Sequence, residues 1–329
     1  DYPSGDQNVY TSYEGKGGVI LNSPLTRLAY AMRMGDSQVL LSSAITTESR
    51  LLWRRSIRER VEAVAPFLRY DPDPYPVIVD GRLVWLLDAY TVSRRYPYSE
   101  PTQTSLGQLN YIRNSVKVAM DAYDGTLTFY LIDDEDPLIR TYASIFPDLF
   151  RPASEMDPTL VAHWRYPEGM FLIQAARYQT YHMTDPQVFY NKEDLWNWAE
   201  EVSGGERLRI EPYYVNMRLP GETSAEFVLM LPFTPSSKQN MIAWLYARND
   251  GEKYGDLGVY KFPKQRLVYG PMQVESRIDQ DPVISQQLSL WNQRGSQVIR
   301  GNLLVIPIDQ AILSVEPNYL QAEASQLPE

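Results

Sequence analysis

The chain has no cysteine, so disulfide staples and thiolate metal sites are both excluded. Histidine is nearly absent too. His163 and His182 are the only two in 329 residues, and a zinc site built on them would need carboxylate ligands as well. No apolar run reaches the roughly 18 residues that a membrane-crossing helix needs. The nearest, 303–315, is broken by Pro307, Asp309 and Gln310. Missing as well are Gly-x4-Gly-Lys-Ser/Thr, Gly-x-Gly-x-x-Gly after a strand, Gly-x-Ser-x-Gly and His-Glu-x-x-His, which removes the usual nucleotide, acyl-transfer and zinc-protease signatures. Cationic charge is scarce, with 31 Lys and Arg against 41 Asp and Glu, a net charge of -10. That balance opposes tight, sequence-independent binding of nucleic acid through phosphate contacts, and docking onto anionic lipid through charge alone. The chain opens at Asp1 with neither Met nor a leader, and reads as a piece of a longer protein.

What is present is an ordinary globular balance, 44% hydrophobic and 22% charged. The 24 Tyr and 24 Pro point to many turns, edge strands and amphipathic surfaces. The length suits two cores. Residues 1–23 are rich in Gly, Ser and Tyr and read as an extended arm. Within it, Gly15-Lys16-Gly17-Gly18 has the composition of a phosphate loop without its spacing, and flexible chain is the expected reading.

Ser23-Pro24 caps a helix to Met34, ended at Gly35. A second helix is expected over 47–68, with Trp53, Ile57, Val61, Val64 and Leu68 as its apolar stripe. Its other face carries Arg50, Arg54, Arg55, Arg58 and Arg60. Two hairpins follow, turning at Asp80-Gly81 and Asp124-Gly125. Residues 137–202 read as mainly helical, including a helix from Pro167 through His182 and a short one capped by Asp194 over 195–202. Gly204-Gly205 is the expected boundary between a domain over 24–204 and another over 205–329. In the latter, strands are expected at 213–218 and 226–231, a helix from Thr234-Pro235 through Arg248, and strands at 259–262, 267–269 and 273–278. Asp281-Pro282 caps a final helix, and strands at 298–300, 303–306 and 312–315 close the pattern. The fold class is α+β, two mostly antiparallel sheets with flanking helices.

Several blocks together resemble one family. They are Tyr10-Thr-Ser-Tyr-Glu-Gly-Lys-Gly-Gly18, the run from Pro66 to Tyr75, Asp80-Gly-Arg-Leu-Val-Trp85, Asn110-Tyr-Ile-Arg-Asn-Ser115, the run from Tyr181 to Tyr190, Phe227-Val-Leu-Met-Leu-Pro-Phe-Thr-Pro235, and the long segment from Asp281 to Ile308. Spread over almost the whole chain, they are similar to the extracytoplasmic region of uncharacterised protein family 0182, bacterial multi-pass integral membrane proteins. The resemblance implies that transmembrane helices precede Asp1 in the parent, and that this segment faces outward at the cell membrane. It supplies no activity and no residue role.

The remaining candidates come from the residues themselves. Arg50, Arg54, Arg55 and Arg58 offer a grip for phosphate, a lipid headgroup or an acidic partner, against the plainer reading of pairing within their own domain. Asp133, Asp134, Glu135 and Asp136 form an acidic turn after a strand. Calcium takes roughly six to eight oxygens from such loops, but the Asp-x-Asp-x-Asp-Gly spacing is missing and a solvated turn is expected. His182, near a helix C-terminus, fits a structural role against free carbonyls. Tyr190, Trp196 and Trp198 offer rings for sugar stacking, with core packing the plainer reading. Three functions stay open: a binding or assembly module, a cell-envelope hydrolase using carboxylates in an interdomain cleft, and a domain that builds a homo-oligomer.

Overall fold

The computed structural model describes residues 2–4, 7–9, 12–203, 206–263, 265–293, 295–308 and 311–322. The chain forms two compact units, residues 1–163 and 164–329. The expected boundary, Gly204-Gly205, lies outside the described residues; the strands beside it, Glu200–Ser203 and Glu206–Arg209, pair with each other inside the second unit. The fold class is α+β with mostly antiparallel sheets, as the sequence pattern indicates.

The first unit is built on two long strands, Arg82–Ser93 and Tyr111–Asp121, paired antiparallel around a bulge at Asn114. Leu127–Leu131 extends the sheet on one side, and Tyr75–Val79 and Arg69–Tyr70 pair with the other long strand. Both expected hairpins form. Asp80 and Gly81 adopt φ of 49° and 75°, the left-handed pair that a two-residue turn needs. Alternation sends Leu87, Ala89, Val118 and Met120 into a core under the helices Ile57–Val64 and Pro137–Ile145. On the other face Lys117 meets Asp88 at 2.6 Å, both buried.

The Arg-bearing helix is much shorter than expected. Arg50–Leu51 is a strand paired with Val19–Ile20, and Arg54 sits at φ 51°, which no helix accommodates. Helix begins only at Ile57. The arm is likewise anchored rather than loose. The Lys16 N–H donates to the Asp124 carboxylate at 2.8 Å, and the Gly17 N–H donates to the Tyr13 hydroxyl at 2.9 Å.

The second unit centres on a five-stranded sheet. Its long strand, Glu226–Pro235, pairs with Trp196–Trp198, Tyr213–Met217 and Ala243–Arg248, and the last of these pairs with Leu257–Lys261. Helix Glu168–Tyr181 packs Phe171 and Ala175 onto Trp196, Phe233, Ala243 and Leu245. Four expectations fail here. Residues 195–202 are strand, because Trp196 and Trp198 recur at the period of two. Ala243–Arg248 is strand rather than helix, its apolar run continuous because both faces are buried: Ala243 and Leu245 in one cluster, Trp244 in another. Pro271–Gln280 is helix rather than strand, started by a proline in its first turn and burying Met272 and Glu275 three residues apart. The expected strand at 267–269 does not form. Helix Pro282–Trp291 is capped by Asp281 as expected. Of the three runs after it, the second and third pair with each other, Leu304–Ile308 with Ala311–Val315, while the first, Ser296–Arg300, pairs with Asn318–Ala322.

Candidate ligand pocket

The second unit holds a cavity of about 450 Å³ at one edge of its sheet, within the size range of small-molecule sites. Three stretches far apart in sequence build it. Residues 182–196 follow the helix Glu168–Tyr181; residues 235–242 connect two strands; residues 261–266 follow the strand Leu257–Lys261.

His182 terminates the helix, and its Nδ1 lies 3.0 Å from the Tyr178 carbonyl oxygen. A ring nitrogen facing a carbonyl must carry the proton, so in the neutral imidazole Nε2 keeps a bare lone pair. That nitrogen is buried and has no hydrogen-bond partner among the described residues. Its nearest charged neighbour is the mostly exposed Asp194 carboxylate, at 3.7 Å. The imidazole stacks on Trp196, ring centroids 3.7 Å apart and planes 22° from parallel. The Trp196 indole N–H is also buried without a partner. Over the same indole stands the Lys261 ammonium, 5.5 Å from the ring centroid.

Lys238 and Arg266 complete the cationic lining, and Met241, Ile242 and Phe262 the apolar part. Asp185 also lines the cavity, but its carboxylate already accepts the Gln187 and Val188 N–H groups at the start of a short helix. The arrangement suits binding: a group of cations beside an apolar wall.

Sequence reasoning singled out His182 and Trp196 but did not bring them together, and it missed Lys238, Lys261 and Arg266. No local signal marks a lone lysine or arginine as pocket-lining; only the strand order places these loops side by side. Tyr190 is exposed, and Trp198 lies outside this cavity. His163 is exposed, its Nδ1 2.6 Å from the Thr159 carbonyl oxygen.

The four arginines do not share a helix face. Arg50 donates to the Lys16 and Gly17 carbonyls, both at 3.2 Å. Arg58 donates to the Asp71 carbonyl at 2.8 Å. Arg54 and Arg55 stand exposed in the preceding loop. In the acidic turn only Asp136 is buried. Its carboxylate accepts from Thr91 at 2.5 Å, Ser115 at 2.6 Å, Tyr111 at 2.7 Å and the Leu138 N–H at 3.0 Å. These donors outweigh the penalty of its burial and hold it below the usual carboxylate range. Asp133 pairs with Arg113 at 2.6 Å, and the Asp134 carbonyl accepts from Arg140 at 2.5 Å. Among the described residues no cluster of three His, Asp or Glu side chains has the arrangement of a metal site.

A different carboxylate cluster lies at the joint between helix Pro271–Gln280 and the strands. Glu275 accepts the Val202 N–H, and Glu201 accepts the Leu303 N–H at 2.7 Å. Burial pushes both upward, Glu275 to about 7, with repulsion from Glu316 and Glu201 on Glu275 and from Glu211 and Glu316 on Glu201.

Comparison with known proteins adds the family. The model of the "Uncharacterised protein family (UPF0182)" matches residues 1–291. A UPF0182 protein of Desulforamulus reducens is 58% identical over all of this chain, which covers 35% of that relative. A UPF0182 protein of Moorella thermoacetica is 57% identical over all of it, covering 36%. One from Methanospirillum hungatei is 54% identical over 98%, covering 36%. The chain thus spans about a third of the length of these curated relatives. No solved structure matches it.

Proposed function

The chain belongs to the UPF0182 family, and on that premise we propose that it is the extracytoplasmic binding module of a longer membrane protein, with its ligand seat in the pocket at His182. One observation carries the reading: a cavity of ligand size is lined by His182 and Trp196, by Lys238, Lys261 and Arg266, and by an apolar wall at Met241 and Phe262. The membrane part of the proposal rests on the family resemblance and on the length of the relatives. No helix among the described residues is long and apolar enough to cross a bilayer.

Two experiments test it. Alkaline phosphatase fused within this segment of the full-length parent should be active, since that enzyme matures only outside the cytoplasm; inactive fusions would overturn the localisation. A thermal melt against small organic acids, alcohols, glycans and divalent cations tests the binding role. A true ligand at about 100 times its Kd adds about 2.7 kcal/mol. A flat panel would overturn the binding role and favour assembly instead.

A further inference from the structure

The pocket walls narrow the ligand class, an inference that rests on the binding reading above. Lys238, Lys261 and Arg266 reach the cavity from two separate loops, in a chain whose net charge is -10. Among the described residues none of the three has a carboxylate partner, and Lys261 stands over the Trp196 ring. Elsewhere in this unit Arg248 pairs with Glu222 at 2.9 Å and Arg300 with Asp279 at 2.7 Å, while Arg209 and Arg277 stand over the rings of Trp198 and Tyr269. Three unpaired cations gathered on one cavity, in an acidic protein, make a focus of positive potential. The apolar wall at Met241 and Phe262 adds a surface that rewards a hydrophobic body.

We propose that the pocket binds a small organic anion, a carboxylate or phosphate carried on a compact apolar body. Lys238, Lys261 and Arg266 take the charged head, and Met241 and Phe262 receive the body. His182 and Trp196 form the floor beneath it. The Trp196 ring is buried, with His182 stacked on it and Lys261 over it, so a sugar stacked on that indole does not fit. Asp194, beside His182 and largely exposed, is the acidic group an incoming anion must displace.

With two histidines and seven tryptophans in the whole chain, nuclear magnetic resonance reads the floor directly. The purified chain is titrated separately with benzoate, benzyl alcohol and inorganic phosphate, following the His182 imidazole and Trp196 indole nitrogens, with exposed His163 as internal control. Benzoate should shift both floor signals saturably, and benzyl alcohol should bind about tenfold more weakly or worse. Lys261→Gln with Arg266→Gln should weaken benzoate about tenfold at an unchanged melting temperature. Equal binding of benzyl alcohol would overturn the anion class while leaving the pocket as a seat. Floor signals silent to all three probes would overturn the anion class as well. Should an uncharged compound of the wider panel then shift His182 and the melt together, the binding reading stands without it. Ligand-induced melt shifts that leave His182 and Trp196 untouched would overturn both.

Discussion

At Gly17 a side chain would overlap the Asp124 carbonyl oxygen, and at Gly15 the Tyr13 ring. Backbone cannot yield as a flexible side chain can, so Gly17→Ala should cost about 1–3 kcal/mol in urea unfolding. An unchanged midpoint would show that the arm is not anchored at this turn. The glycines were visible in the sequence; their use was not, because the contact is with a turn more than a hundred residues away. Glu275 makes a pH prediction. Its carboxyl is raised from 4.5 to about 7, first by burial. A group raised in the folded state contributes stability that is complete below its unfolded value and is lost as pH rises through the folded one. Stability should therefore fall between about pH 4.5 and 7.5, and Glu275→Gln should flatten that slope. A parallel slope in the variant would contradict the assignment. Asp136 acts in the opposite sense, stabilising above its unfolded value and losing that contribution as pH falls. Asp136→Ala should cost about 3 kcal/mol by leaving buried hydroxyls short of partners, with and without chelator. A loss seen only when calcium is present would return the acidic turn to the role of a cation site.

At the scale of elements, legibility followed burial. Helix Pro24–Met34 was readable because its signals are local: the Ser23 side chain accepts the Thr26 N–H, and Gly35 closes it at φ 67°. The hairpin at Asp80-Gly81 was readable for the same reason. Ala243–Arg248 was not. A strand buried on both faces loses the alternation that distinguishes it from helix, and Thr234-Pro235, which mimics a cap, is the tail of the preceding strand. The stripe drawn over 47–68 contained a left-handed residue, Arg54, that hydrophobic spacing cannot reveal. If Trp244 is the fully buried plate under the second sheet that its contacts with Tyr246 and Tyr260 indicate, Trp244→Ala should cost about 3–5 kcal/mol. Circular dichroism melts would detect a loss that large, and a loss below about 1 kcal/mol would mean the strand packs differently.

For the whole molecule, the fold class was readable from the sequence and the pocket was not. Its residues come from three stretches between 182 and 266 that only the strand order of the second sheet brings together. Composition pointed only to an acidic protein that opposes nucleic acid and charge-driven lipid docking, because net charge averages over a surface on which cations are locally concentrated. The family carries the same segment in relatives about three times its length. The most direct measurement is a crystal structure of the chain with benzoate. The account predicts the carboxylate between Lys261 and Arg266, the ring against Phe262, and Asp194 turned away from His182. Benzoate bound elsewhere with the pocket empty, or seated with its carboxylate away from all three cations, would contradict it.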